Sequence, residues 1–124
     1  MTIRDDRRFT AGDLVLVELG PVRGTEQDGT RPAIVISDSG MHEFSRRALI
    51  CLITRNRRPW PTKVMLPDGI GVQGAILVDQ LRSIDRRERI LRHLGTAPTE
   101  ILHEVHRTLA VLLAVDGPPR ALTP

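Results

Sequence analysis

The run ALICLIT, residues 48–54, most narrows what this chain can become. It is almost continuously apolar, and such a run reads as a strand buried on both faces. A strand of that kind needs partners at both edges and cover above and below. The chain offers the partners. Asp13–Leu19 (DLVLVEL) and Ala33–Ser37 (AIVIS) read as strands, with Pro32 at the start of the second, where a missing N–H is tolerated. Thr62–Leu66 (TKVML) alternates as a fourth strand, and Ala75–Val78 with Leu81–Ile84 gives one long strand or two short ones.

Only the end of the chain has helical periodicity. Ile101, Leu102, Val105, Leu109, Leu112 and Leu113 recur at helical spacing and predict one apolar face. Pro98 suits the first turn, Glu100 suits the positive end of the helix dipole, and Gly117-Pro118-Pro119 is the expected stop. With alanine at 97, Thr96 is the available capping oxygen. Asp38–Arg47, with His42, reads as a loop, and so does the neighbourhood of His93. Short strands followed by one helix predict a mainly β fold, a small, partly open barrel with a packed C-terminal helix. The 124 residues read as one domain (1–124), with a core at about 11–115 and flexible termini.

The charge is distinctive. The chain carries a net +3 and a pI near 10.3, and only Lys63 among its 18 basic residues is a lysine. The guanidinium fork matches phosphate and carboxylate oxygens two at a time, so an arginine surface points to nucleic acid or an acidic protein segment. Genomic base composition is the competing explanation. The sole cysteine, Cys51, lies inside ALICLIT and reads as a small buried hydrophobe. One cysteine allows no intramolecular disulfide and fits a reducing cytoplasm. No apolar run reaches the ~18 residues of a membrane helix, and the N-terminus lacks a signal-peptide core, so no membrane association is expected.

Tests for specific chemistry remove several classes. His103-Glu104-Val105-His106 is one residue short of a metalloprotease pair and falls on the polar side of the helix, so no metal site is predicted. The aromatics are Phe9, Phe44 and Trp60, none in a predicted strand, which argues against base stacking on a sheet face. What remains is the segment GPVRGTEQDGTRP, residues 20–32, between the first two strands. Pro32 stiffens the backbone beside Arg31, and Thr54 ends the third strand with its hydroxyl available to a cleft. Taken alone, Arg31 reads equally as an ion-pair partner of Glu26, and Thr54 as a strand-end cap.

GPVRGTEQDGTRPAIVIS resembles the signature of the MazF/PemK family of toxin endoribonucleases, G-[ST]-E-Q-x-G-x-RP-x-[LIV]-V after the first strand. The likeness continues through LICLIT (49–54), PTKVML (61–66), ILVDQLRSIDRRE (76–88) and the final helix, over about residues 11–115. It implies an SH3-like barrel, commonly a cytoplasmic homodimer, neutralised by an antitoxin with an acidic C-terminal segment. It also implies cleavage of single-stranded mRNA at short sequences, without metal or other cofactor. In that reaction the ribose 2′-OH attacks phosphorus and leaves a 2′,3′-cyclic phosphate and a 5′-OH. The family's catalytic arginine and threonine fall on Arg31 and Thr54, with Glu26 beside them. Thr25, Gln27, Asp79, Gln80 and Arg55 fall on positions for RNA contact or site support.

An always-charged guanidinium suits a phosphorane's oxygens and is a poor base, so Arg31 reads as a transition-state stabiliser with proton donation to the leaving oxygen as a second role. The acceptor of the 2′-OH proton stays open between Glu26, by charge, and His42, by pKa. This sequence departs from the family in lacking an early asparagine in DSGMHEFSRRA. It also has Gly74 where serine is common, and an unusually basic loop with Arg55, Arg57, Arg58 and Trp60. A gyrase poison on the same fold would need a C-terminal tryptophan, which VDGPPRALTP lacks. A catalytically silent barrel that binds only antitoxin or RNA is the third reading.

Overall fold

The computed structural model describes residues 8–20 and 29–115. The strands are β1 (Asp13–Glu18), β2 (Thr30–Val35), β3 (Arg47–Thr54), β4 (Lys63–Met65), β5 (Ala75–Asp85) and β6 (Ile90–Thr96). They form one six-stranded antiparallel sheet in the order β4-β5-β3-β2-β1-β6. The helices are α1 (Ser39–His42), α2 (Arg86–Arg89) and α3 (Thr99–Leu112). The mainly β class with a C-terminal helix is therefore what the strand pattern predicts.

β3, which carries ALICLIT, is central and covered on both sides. Cys51 and Ile53 join Leu14, Ile34, Ile76 and Val78 in a core closed by Val105 and Leu109 of α3. Ile50 and Leu52 point the other way, into a second core with Val15, Val17, Ala33, Val35, Ile84 and Phe9. Alternate residues of three strands thus feed two cores, as period-2 side chains require.

The two edge strands, β4 and β6, share no ladder among the described residues. They are brought together by the connection between β4 and β5. A Cβ on Gly71 would lie 2.4 Å from the Leu94 carbonyl oxygen, and one on Gly95 would lie 2.3 Å from that of Ile70. Only glycine permits this backbone contact, and the barrel is partly open with a seam rather than a hydrogen-bonded closure.

Several expected elements change. β6 was not expected at all, and it takes in His93, whose Nε2 lies 3.4 Å from the Asp13 carboxylate. β5 is one strand of 11 residues, with a bulge where the pairing passes from Ile53↔Ile76 to Cys51↔Leu81. Pro32 is the third residue of β2, which begins at Thr30. The α3 N-cap is Pro98, with no side-chain cap, so Thr96 does not serve. α3 ends at Leu112 because Ala114 takes a positive φ of 52°. Leu112 and Leu113 are exposed rather than buried, and Gly117-Pro118-Pro119 lies outside the described residues.

His42 is also not in a loop. It ends α1, is 1% exposed, and pairs through Nε2 with Ser37 Oγ at 2.7 Å and through Nδ1 with the Phe9 carbonyl oxygen. A carbonyl oxygen only accepts, so Nδ1 carries a proton. The His42 carbonyl in turn accepts from Nη2 of Arg86, itself 6% exposed, at 2.9 Å. Burial lowers the Arg86 pKa, and the charges of Arg87, Arg8 and Arg46 act the same way against Asp85.

Candidate functional site

The β2–β3 ladder runs Val35↔Ile50, Ile34↔Cys51, Ala33↔Leu52 and then stops. Pro32 has no N–H with which to extend it. Continued by two residues, that register sets Arg31 across from Thr54, so both stand at the cleft where the strands part. Arg31 is half-buried, and its Nη2 donates to the Ile53 carbonyl oxygen at 3.3 Å. Among the described residues it has no acidic partner. Its remaining donors face an open cleft of about 1130 Å³.

The cleft is lined by Arg31, Thr54, Arg55, Arg57, Gln73 and Arg92 among others. It is larger than the ~300–1,000 Å³ usual for small-molecule sites. Four of the described lining residues are arginines and none is acidic. Fixed positive charge in a concave wall concentrates field there and draws in anions.

Thr54 Oγ1 accepts from the Asn56 N–H at 3.2 Å, which turns the chain out of β3. The strand-end cap is therefore real. The bond uses a lone pair and leaves the hydroxyl proton to donate, so the cap and a ligand contact are compatible. Gly74 crowds the other side of Thr54. It has φ +131°, and a Cβ there would sit 2.0 Å from the Thr54 carbonyl oxygen. The serine common at this position in the resembling family would not fit this backbone.

Not all predicted residues gather here. Arg31, Thr54 and Arg55 line the cleft, whereas Asp79 and Gln80 lie exposed on the β5 bulge and are not among its lining residues. Thr25, Glu26 and Gln27 lie outside the described residues. His42 is buried with both ring nitrogens engaged by Ser37 and Phe9, which takes it out of contention as the base. Cys51 is buried, and desolvation, aided by the negative charge of Asp79, pushes its pKa up to about 12. Among the described residues no cluster of three His, Cys, Asp or Glu is placed to hold a metal ion. Arg92 is the residue sequence reading missed, because the strand that carries it went unrecognised.

Known proteins resemble this chain over most of its length. The family model described as PemK-like, MazF-like toxin of type II toxin-antitoxin system matches residues 10–113. Endoribonuclease PemK of Escherichia coli is 32% identical over 116 residues, covering 90% of this chain and 86% of that relative. The crystal structure of MazE-MazF (Form-II) from Deinococcus radiodurans is similar at a TM-score of 0.78 and 35% identity, covering 88% of this chain and 98% of that one. An endoribonuclease in complex with its cognate antitoxin from Mycobacterial species shares the fold, at a TM-score of 0.73 and 19% identity over 86% of this chain and 95% of that one.

Proposed function

Since the chain belongs to the PemK-like, MazF-like family of type II toxins, we propose that its arginine-lined cleft is where it cuts RNA. The protein is then an endoribonuclease toxin that takes single-stranded mRNA, acts as a cytoplasmic homodimer without metal, and is neutralised by an antitoxin with an acidic segment. The observation that carries this reading is that Arg31 and Thr54 line one open cleft with four arginines and no described acid.

The chemistry follows from those groups. The 2′-oxygen forms a bond to phosphorus as the P–O5′ bond breaks, giving a 2′,3′-cyclic phosphate and a 5′-OH. Negative charge grows on the non-bridging oxygens in between. Arg31, already oriented by the Ile53 carbonyl, presents fixed N–H donors to that charge, and Thr54 donates its hydroxyl proton to the same phosphate. Arg55 and Arg92 hold flanking phosphates. Glu26 is the remaining candidate to accept the 2′-OH proton. Arg31, in its second role, gives the departing O5′ the proton that makes it a 5′-OH. Thr25 and Gln27 contact RNA from the same segment as Glu26. Asp79 and Gln80 act from the β5 bulge, as support or a more distant RNA contact.

Incubating the purified protein with a long transcript in EDTA tests this. The expected result is cuts at a recurring short sequence with 5′-OH ends. Arg31→Ala and Thr54→Ala should each reduce the rate by about 100-fold or more, the range for losing one oriented donor. Absence of cutting by the natural protein, or cutting indifferent to both substitutions, overturns the reading. Sedimentation decides the homodimer.

A further inference from the structure

The loop 55–62 leaves the cleft at Thr54 and returns at β4, and its backbone is pinned from within. Arg57 Nη1 donates to the Leu66 and Gly74 carbonyl oxygens at 3.1 and 3.5 Å. Asn56 Oδ1 accepts from the Arg58 N–H at 2.9 Å. Lys63 Nζ donates to the carbonyl oxygens of Asn56 and Arg58 at 3.2 and 3.1 Å, and its backbone N–H donates to that of Trp60 at 3.0 Å. The loop is thus a held platform. On it stands Trp60, between Pro59 and Pro61, 60% exposed.

A tryptophan held open to water forgoes the stabilisation that burying its ring would give. The exposed residues of its loop are Arg55, Asn56, Arg57, Arg58 and Pro59, and Arg55 and Arg57 also line the cleft. A flat π-face among guanidinium groups, continuous with a phosphate-attracting groove, is the combination that binds single-stranded nucleic acid, the bases stacking while the cations take the backbone.

We propose that Trp60 is a base-stacking platform for a nucleotide flanking the scissile phosphate, with Arg58 on the adjoining backbone. This rests on RNA being the cleft's substrate. It also changes what the aromatic count implies: stacking is absent from the predicted strands but is supplied from a rigid loop at the rim.

Trp60 is the only tryptophan in the chain, so its fluorescence reports on itself. The probe is a pool of single-stranded 2′-O-methyl RNA 12-mers of mixed sequence, in which the attacking hydroxyl is blocked. Stacking predicts saturable quenching by the pool and none by polyphosphate of equal charge. Trp60→Ala should weaken binding roughly 5- to 100-fold, with the same dependence on salt, because the phosphate contacts remain. Trp60→Phe should restore most of the loss. Arg58→Ala should instead flatten the salt dependence.

A melting curve of Trp60→Ala matching the natural protein's shows that the loss is not unfolding, and a cut-mapping assay on the natural protein tests RNA cleavage separately. If the natural protein cuts RNA but quenching is absent, or Trp60→Ala binds as well as the natural protein, the platform is refuted while the nuclease stands. If Trp60→Ala binds RNA normally but no longer binds the antitoxin, the ring serves a protein partner and the proposal is overturned. If the natural protein neither cuts nor binds RNA, the reading of the cleft falls first.

Discussion

Arg31 and Thr54 each do an ordinary structural task at the site where they are proposed to act. One bonds the Ile53 carbonyl and the other caps a strand end. Those tasks fix their orientation before any ligand arrives, which makes donors effective in a transition state. Cys51 is the contrasting case, a group with reactive chemistry placed where it has none. Its pKa, raised to about 12 by burial, keeps it a thiol at neutral pH. A thiol-specific reagent should therefore leave it unlabelled in the folded protein and label it promptly in denaturant. The raised value also has a sign for stability. Above the ordinary thiol pKa of about 8.5 the unfolded chain loses this proton and the folded chain keeps it, so stability falls with rising pH up to about 12. Cys51→Ala should remove that part of the alkaline loss in denaturant titrations at pH 8 and 10. An unchanged slope would place the loss elsewhere.

At the scale of elements, legibility followed burial. ALICLIT was readable because both its faces are in cores, and α3 because Val105 and Leu109 repeat on one side. β6 was not readable. Its pairing with β1 shifts register between Leu14 and Val15 and again between Leu16 and Val17, so ILRHLGT never alternates cleanly. It also holds arginine, histidine and glycine, which an edge strand tolerates and a sequence pattern penalises. α1 and α2 are single turns, too short for any period to show. The end of α3 was misplaced for a different reason. Ala114 N–H bonds the Val111 carbonyl at 3.1 Å and Val115 N–H that of Ala110 at 3.0 Å, a Schellman ending normally built on glycine. An alanine there gives no sequence signal and carries the strain of the left-handed region. Ala114→Gly should therefore stabilise the protein by about 0.5–1 kcal/mol, measured by urea unfolding. Destabilisation would mean that glycine's greater freedom in the unfolded chain outweighs the relieved strain.

Over the whole molecule, the cleft and the seam coincide. Gly71, Val72, Gln73 and Gly74 line it from the β4–β5 connection, and Arg92 and Leu94 line it from β6. A strand of RNA bound in the proposed cleft would therefore contact both sides of a closure that, among the described residues, lacks ladder hydrogen bonds. Ligand present at 100 times its Kd adds about 2.7 kcal/mol to stability. For a chain of 124 residues this should raise the melting temperature by roughly 10 °C. The uncleavable 2′-O-methyl pool should produce that shift at low salt and lose it as salt rises. A melting point that ignores the pool would show that RNA does not bridge the seam.

The pairing of β1 with β6, Asp13 opposite Thr96, joins one of the earliest segments made to one of the latest. During translation Arg31 and Thr54 emerge well before Arg92 and Leu94, and β1 waits with its outer edge unpaired. A chain halted after β5 holds the two side chains proposed to act but lacks the second wall, from β6, that would confine a strand of RNA against them. The fold thus sets a schedule: the cleft gains both of its walls only as synthesis of the chain nears completion.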